Sequence, residues 1–192
     1  MTDGQTIKQA LFQHIDDYWP LNTKDEFGWD ASTTQAGASP GSVIRVTPHS
    51  PAEPWIYLTH GASLCVPGAT DRFEFFILAP YENPRHVQTL AMLATARTRG
   101  DSKLDVGSSI DLGKGWIDGS ICDHLLVSLP YPFGPEFETC AAGAEGKVRY
   151  LWLLPINSRE NAFLQKSGLE ALEQKFEDAD MDFLDPDRPS VV

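Results

Sequence analysis

Apolar and polar positions along this chain sort into stretches with a period near 3.6 and stretches with a period of two. Ile7, Leu11, Ile15 and Tyr18 recur at helical spacing and predict an amphipathic helix over residues 6–19, closed by Pro20. Residues 21–41 are rich in Asn, Thr, Ser, Ala and Gly and read as irregular. Residues 42–47 alternate as a strand that ends at Pro48. In WIYLTHGASL (55–64), Trp55, Tyr57 and Thr59 share one face and Ile56, Leu58 and His60 the other, up to Gly61. RFEFFILAP (72–80) is apolar on both faces beyond Glu74, as a central strand would be. NPRHVQTLAMLATARTRG (83–100) predicts a helix with Asn83 as N-cap and Pro84 in the first position. Its stripe is Val87, Leu90, Leu93, Ala94 and Arg97, and Gly100 stops it.

The second half continues the alternation. DVGSSIDLGKGWIDGS (105–120) is loop-rich, with one or two short strands. ICDHLLVSLP and VRYLWLLPI place apolar strands at 121–129 and 148–154, joined by the long connection PYPFGPEFETCAAGAEG. Asn157 with Glu160 forms a capping-box signal, and SGLE (167–170) repeats it before a helix carrying Leu169, Leu172 and Phe176. The expected fold is α+β, a mixed and mostly antiparallel sheet with helices packed on it.

Composition narrows the class. At 192 residues, with 42% hydrophobic and 22% charged residues, the chain suits a single domain over 1–192. Cys65, Cys122 and Cys140 are odd in number and lack a CxxC pair, so neither a disulfide framework nor a thiolate zinc site is expected. The first residues lack a signal-peptide pattern, and no run approaches the roughly 18 apolar residues of a membrane span. The expectation is a soluble cytoplasmic protein. The net charge is −12, and residues 169–192 hold eight acids against two bases, half of that charge. Such a surface repels phosphate backbones and argues against nucleic acid. It would steer a basic protein partner, or serve solubility alone.

Candidate chemistry is thin. Gly61-Ala62-Ser63-Leu64-Cys65 lacks the second glycine of a nucleophile elbow, so Ser63 reads as a strand-end cap. Cys122, Asp123 and His124 stand together; on a strand, Cys122 and His124 would share a face. His14, His49, His60 and His86 form no metal-binding spacing. The glycines of GKGWIDGS (113–120) are not in P-loop order. Trp116 in that loop is either a partner anchor or a residue tucked onto the core edge. Paired acids such as Asp16/Asp17 and Glu177/Asp178 sit in polar surroundings and read as solvated.

Taken in order, WIYLTHGAS, RFEFFIL, the stretch around Gly107, ICDHLLVSLP, VRYLWLLPINSRENAF, SGLEALEQKF and DPDRPSVV resemble a bacterial Suppressor of fused-like domain. Residues 1–40 match least. The resemblance implies an α+β domain without enzymatic activity or cofactor. In animals the related domain, joined to a second one, sequesters a zinc-finger transcription factor by gripping a peptide as an added strand. Bacterial single-domain relatives are expected to act as immunity proteins against polymorphic toxins. The chain matches the animal N-terminal domain at Gly61, Ser63, Glu74, His124, Leu125, Leu126 and Pro130. It departs from it in a shorter segment between Ser63 and Glu74, and the expectation is a single-domain form without the second domain.

The expected partner is therefore a protein, with a basic toxin domain as one form. Glu74, Trp116, Asp118 and His124 are candidate contacts, and the acidic segment 177–192 is another candidate surface. Two other readings stay open: a scaffold sequestering a regulatory peptide, and a hydrolase using Ser63 or Cys122 with His124.

Overall fold

The computed structural model describes residues 3–29, 41–65, 71–98, 104–142 and 146–192. They form two compact units, neither continuous in sequence: Met1–Lys103 with Leu129–Trp152, and Leu104–Ser128 with Leu153–Val192.

In the first unit, helix α1 (Asp3–Tyr18) buries Ile7, Leu11 and Ile15, the i, i+4, i+8 stripe its sequence carries. Strand β1 (Lys24–Gly28) follows, in a stretch expected to be irregular. It was hidden because KDEFG has no apolar alternation. Among the described residues it is an edge strand, pairing with β2 (Ser42–Val46) alone, and charges on an edge discourage further pairing. Strand β3 (Trp55–His60) lies antiparallel to β2 and to β4 (Phe73–Ala79), all seven residues of which are buried. Strand β8 (Lys147–Ile156) runs parallel to β4.

Helix α2 (Arg85–Thr98) starts where Asn83 Oδ1 accepts the Arg85 N–H at 3.0 Å. Its buried stripe is His86, Leu90, Leu93 and Ala94; Val87 is only half-buried, so the inward position in the first turn is a histidine. The expected stop at Gly100 lies outside the described residues. The long connection is structured. A 3₁₀ turn (Tyr131–Phe133), helix α3 (Pro135–Glu138) and strand β7 (Thr139–Ala141, on β8) deliver Phe137 into a cluster with His14, Tyr18, Trp19, Phe76 and Tyr150.

The second unit contains the end of β8, beside which lies β6 (His124–Ser128), with β5 (Ser109–Asp111) antiparallel to it. Strand β6 starts three residues later than expected. The Cys122 carbonyl accepts the Trp116 N–H at 2.8 Å and closes a loop, so Cys122 and His124 are not strand neighbours on one face. Helix α4 (Ser158–Ser167) opens with the predicted capping box of Asn157 and Glu160. Helix α5 (Leu169–Asp178) starts differently: Gly168, at φ 86°, stands at the N-cap and Ser167 ends α4. The fold is α+β, with a mixed sheet and packed helices.

Candidate functional site

Glu74 lies in the middle of an apolar strand, so its carboxylate must find donors inside the protein. Chain geometry supplies them. Strand β3 ends at His60, Gly61 takes a left-handed φ of 107°, and a 3₁₀ turn over Ala62–Leu64 follows. This turn aims three successive backbone N–H groups, from Gly61, Ala62 and Ser63, at the carboxylate at 3.0–3.1 Å. The hydroxyls of Ser63 and Thr59 donate to it at 2.6 and 2.5 Å. A row of amides with a serine hydroxyl could serve an oxyanion, but here Glu74 fills it. Ser63 therefore bonds a side-chain carboxylate where a backbone cap was expected. Burial and the Glu74 charge push the nearby Cys140 thiol up to about 11, and the same two causes, with Cys140 added, raise the Tyr150 phenol well above its ordinary range.

A second cluster joins α1 to the sheet edge. His60 Nε2 lies 2.9 Å from the Lys8 carbonyl, and its Nδ1 lies 3.1 Å from Glu26 Oε1 and 3.3 Å from Ser42 Oγ. The Ser42 hydroxyl donates to Glu26 at 2.5 Å. Serine, histidine and carboxylate are all present, yet serine and carboxylate address the same ring nitrogen. A nucleophilic triad needs them on opposite nitrogens. The Ser42 hydrogen bond, reinforced by His60 against the effect of burial, holds the Glu26 carboxyl below the usual range.

The second unit holds a third cluster. Asp123 accepts the Ser158 hydroxyl at 2.5 Å and lies 2.7 Å from His124 Nδ1. The carboxylate sits between serine and histidine, so the histidine cannot act as base toward that serine. Burial pushes Asp123 upward, but Ser158 and His124 outweigh it and leave its carboxyl below the usual range. Beside it, Glu160 is fully buried and bidentate with Arg188, at 2.7 and 2.8 Å. Arg188 also donates to the Pro155 carbonyl, and the Val191 N–H donates to Glu160. The end of the acidic segment is thus pinned by its lone arginine.

Among the expected partner contacts, Glu74 is buried in its cradle. Trp116 is 2% exposed, its indole N–H donating to Ser120 Oγ. The loop around it is tight, since a Cβ on Gly115 would lie 2.4 Å from the Ser120 carbonyl oxygen. Asp118 is exposed and His124 half-buried. Glu74 and Trp116 lie in the first and second units respectively, so the four candidates do not form one patch within either unit. Sequence reasoning missed Arg188 and the Glu26–Ser42 pair. The first had only the signal of one base among five aspartates; the second depends on a strand without hydrophobic alternation. Among the described residues no three His, Cys, Asp or Glu side chains are placed to hold a metal, and no helix is long and apolar enough to cross a membrane.

Residues 37–189 match the family model for Suppressor of fused protein (SUFU). The chain belongs to the SUFU family. A crystal structure of a SUFU homologue from Neisseria gonorrhoeae FA 1090 shares 34% identity with it at a TM-score of 0.84, covering 97% of each chain. The Sufu–Fu complex superposes with a TM-score of 0.71 at 14% identity, over 96% of this chain and 92% of that one. Drosophila Suppressor of Fused gives 0.68 at 14% identity, over 95% of this chain and 50% of that longer one. The last two establish the shared SUFU fold. No protein of curated function matches the sequence significantly. One SUFU protein is seen in a complex with a protein partner, Fu.

Proposed function

We propose that this chain is a cytoplasmic protein-binding domain that neutralises its partner by occupancy, as an immunity protein for a basic toxin domain. The observation that carries the reading is the saturation of its polar clusters. In the three clusters described above, the serines, histidines and carboxylates are bonded in an order that stabilises structure. Family membership supports binding as the activity, and the net charge of −12 supports a basic partner. Exposed Asp118 and half-buried His124 are the candidate contacts that a partner can reach.

Co-expression with a toxin domain encoded beside the gene is expected to restore growth; growth equal to that with an empty vector overturns the toxin reading. With purified partner, the association rate is expected to fall as salt rises, and to fall further with Asp118→Lys. The hydrolase reading requires Ser63 or Cys122 to react. The Ser63 hydroxyl is held by Glu74, and burial raises the Cys122 thiol pKa despite the opposing pull of Arg188. Serine- and thiol-directed probes are therefore expected to leave the folded protein unlabelled.

A further inference from the structure

The first turn of α4 leaves two hydrogen-bond donors unused. Asn157 Oδ1 accepts the backbone N–H groups of Arg159 and Glu160 at 3.0 and 3.1 Å. The Ser158 N–H, in the first helical position, has no intrahelical acceptor and no other partner among the described residues. Asn157 Nδ2 also has none, although the residue is only 4% exposed. Because Oδ1 is turned to the helix amides, the amide cannot be flipped to satisfy Nδ2. Such a donor takes its acceptor from an ordered water or from a ligand atom that replaces it.

At this turn lies a cavity of about 250 Å³ lined by Ile121, Asn157, Ser158, Arg159 and Ser190, all in the second unit. Its chemistry is one-sided. The helix N-terminus contributes partial positive charge, and the Arg159 guanidinium, in no ion pair among the described residues, adds a full one. The hydroxyls of Ser158 and Ser190 are already turned, to Asp123 and to Asn157 Oδ1. Ile121, 55% exposed, gives an apolar wall. The Asp123 carboxylate bonded to Ser158 limits the charge that the site tolerates, favouring a monoanion over a phosphate dianion. The volume is at or below the small end of ligand sites, about 300 Å³, so it admits a headgroup and one short side chain.

We infer that this cavity binds a carboxylate flanked by a small apolar group, in the form of a polypeptide's C-terminal residue. The carboxylate accepts from Ser158 N–H and Arg159, a small shift of the Asn157 side chain brings the buried Nδ2 into reach, and the terminal side chain rests on Ile121. The inference stands apart from toxin neutralisation and holds or fails without it.

The test is a titration of the ¹⁵N-labelled full chain, followed at the Arg159 amide, with N-acetyl-Ala-Leu-Val as free acid, the same peptide as C-terminal amide, N-acetylvaline, and inorganic phosphate. The free acid is expected to bind with a submillimolar Kd, and the amide and phosphate about tenfold more weakly. Arg159→Ala, followed at Ile121, is expected to weaken the free acid by about tenfold. Ser158→Pro removes the unused N–H from a position that suits proline, since Asn157 is already extended at φ −94°, ψ 169°. It should weaken binding clearly, while Ser158→Ala, which keeps the N–H, should bind like the parent. Equal affinity for acid and amide overturns the inference, as does tighter binding of phosphate or equal loss in the two Ser158 variants. N-acetylvaline matching the peptide would overturn the chain terminus as the source.

Discussion

Five donors converge on the carboxylate of Glu74, and none of them is free to turn to water. Replacing the acid leaves three buried N–H groups and two hydroxyls short of an acceptor. Glu74→Ala is therefore expected to destabilise the protein by about 3–5 kcal/mol, and Glu74→Gln by less, read as a lowered urea midpoint with unchanged slope. A barely altered midpoint in Glu74→Ala would mean that the cradle is satisfied in another way. The sequence marked Glu74 as the odd polar residue in an apolar run. It could not mark the donors, because they depend on Gly61 reversing the chain after β3, a conformation visible only in φ. Asn157 and Glu160 were legible for the opposite reason. Their partners lie within three residues, so spacing alone defined the bond.

Among the elements, those with periodic apolar faces were readable and those defined by their neighbours were not. Helix α1 and strands β3 and β4 announced themselves; β1 did not, because it pairs at the sheet edge and three of its five residues are charged. The acidic C-terminal segment read as a solvated surface, whereas its end is fastened to α4 through Arg188. Removing one member of a buried ion pair leaves the other charge uncompensated. Arg188→Met is thus expected to cost about 3–5 kcal/mol and to open the segment locally. Hydrogen exchange should rise at the Val191 amide, which donates to Glu160, before it rises in β4. Simultaneous exchange across both units would instead indicate global unfolding.

For the whole molecule, acid is the revealing perturbation. Burial lowers the His86 pKa to about 4, with the Arg85 charge adding to it, against an ordinary 6.5. The folded state therefore resists a proton that the unfolded state accepts. Stability is intact above about pH 6.5 and is lost as pH falls toward 4, by an amount on the order of 3 kcal/mol. Glu26 and Asp123, held below the usual range, add a further loss at lower pH as they protonate. Urea unfolding at pH 7 and pH 4.5 should show this slope, and His86→Gln should flatten it. An identical slope in the variant would move the origin elsewhere.

The family and the α+β class were legible from about residue 50 onward because ordered apolar segments carry both. The two-unit organisation was not, since it depends on which distant segments return to pack together. Strand β8 belongs to both units, six residues to one and four to the other, and each unit draws on two separated stretches. No single cut in the gene therefore yields an intact half. Nested deletions would lose binding wherever they end, and so would map the architecture, not the docking surface. Circular permutants and point substitutions keep every strand in place and are the tools suited to this topology.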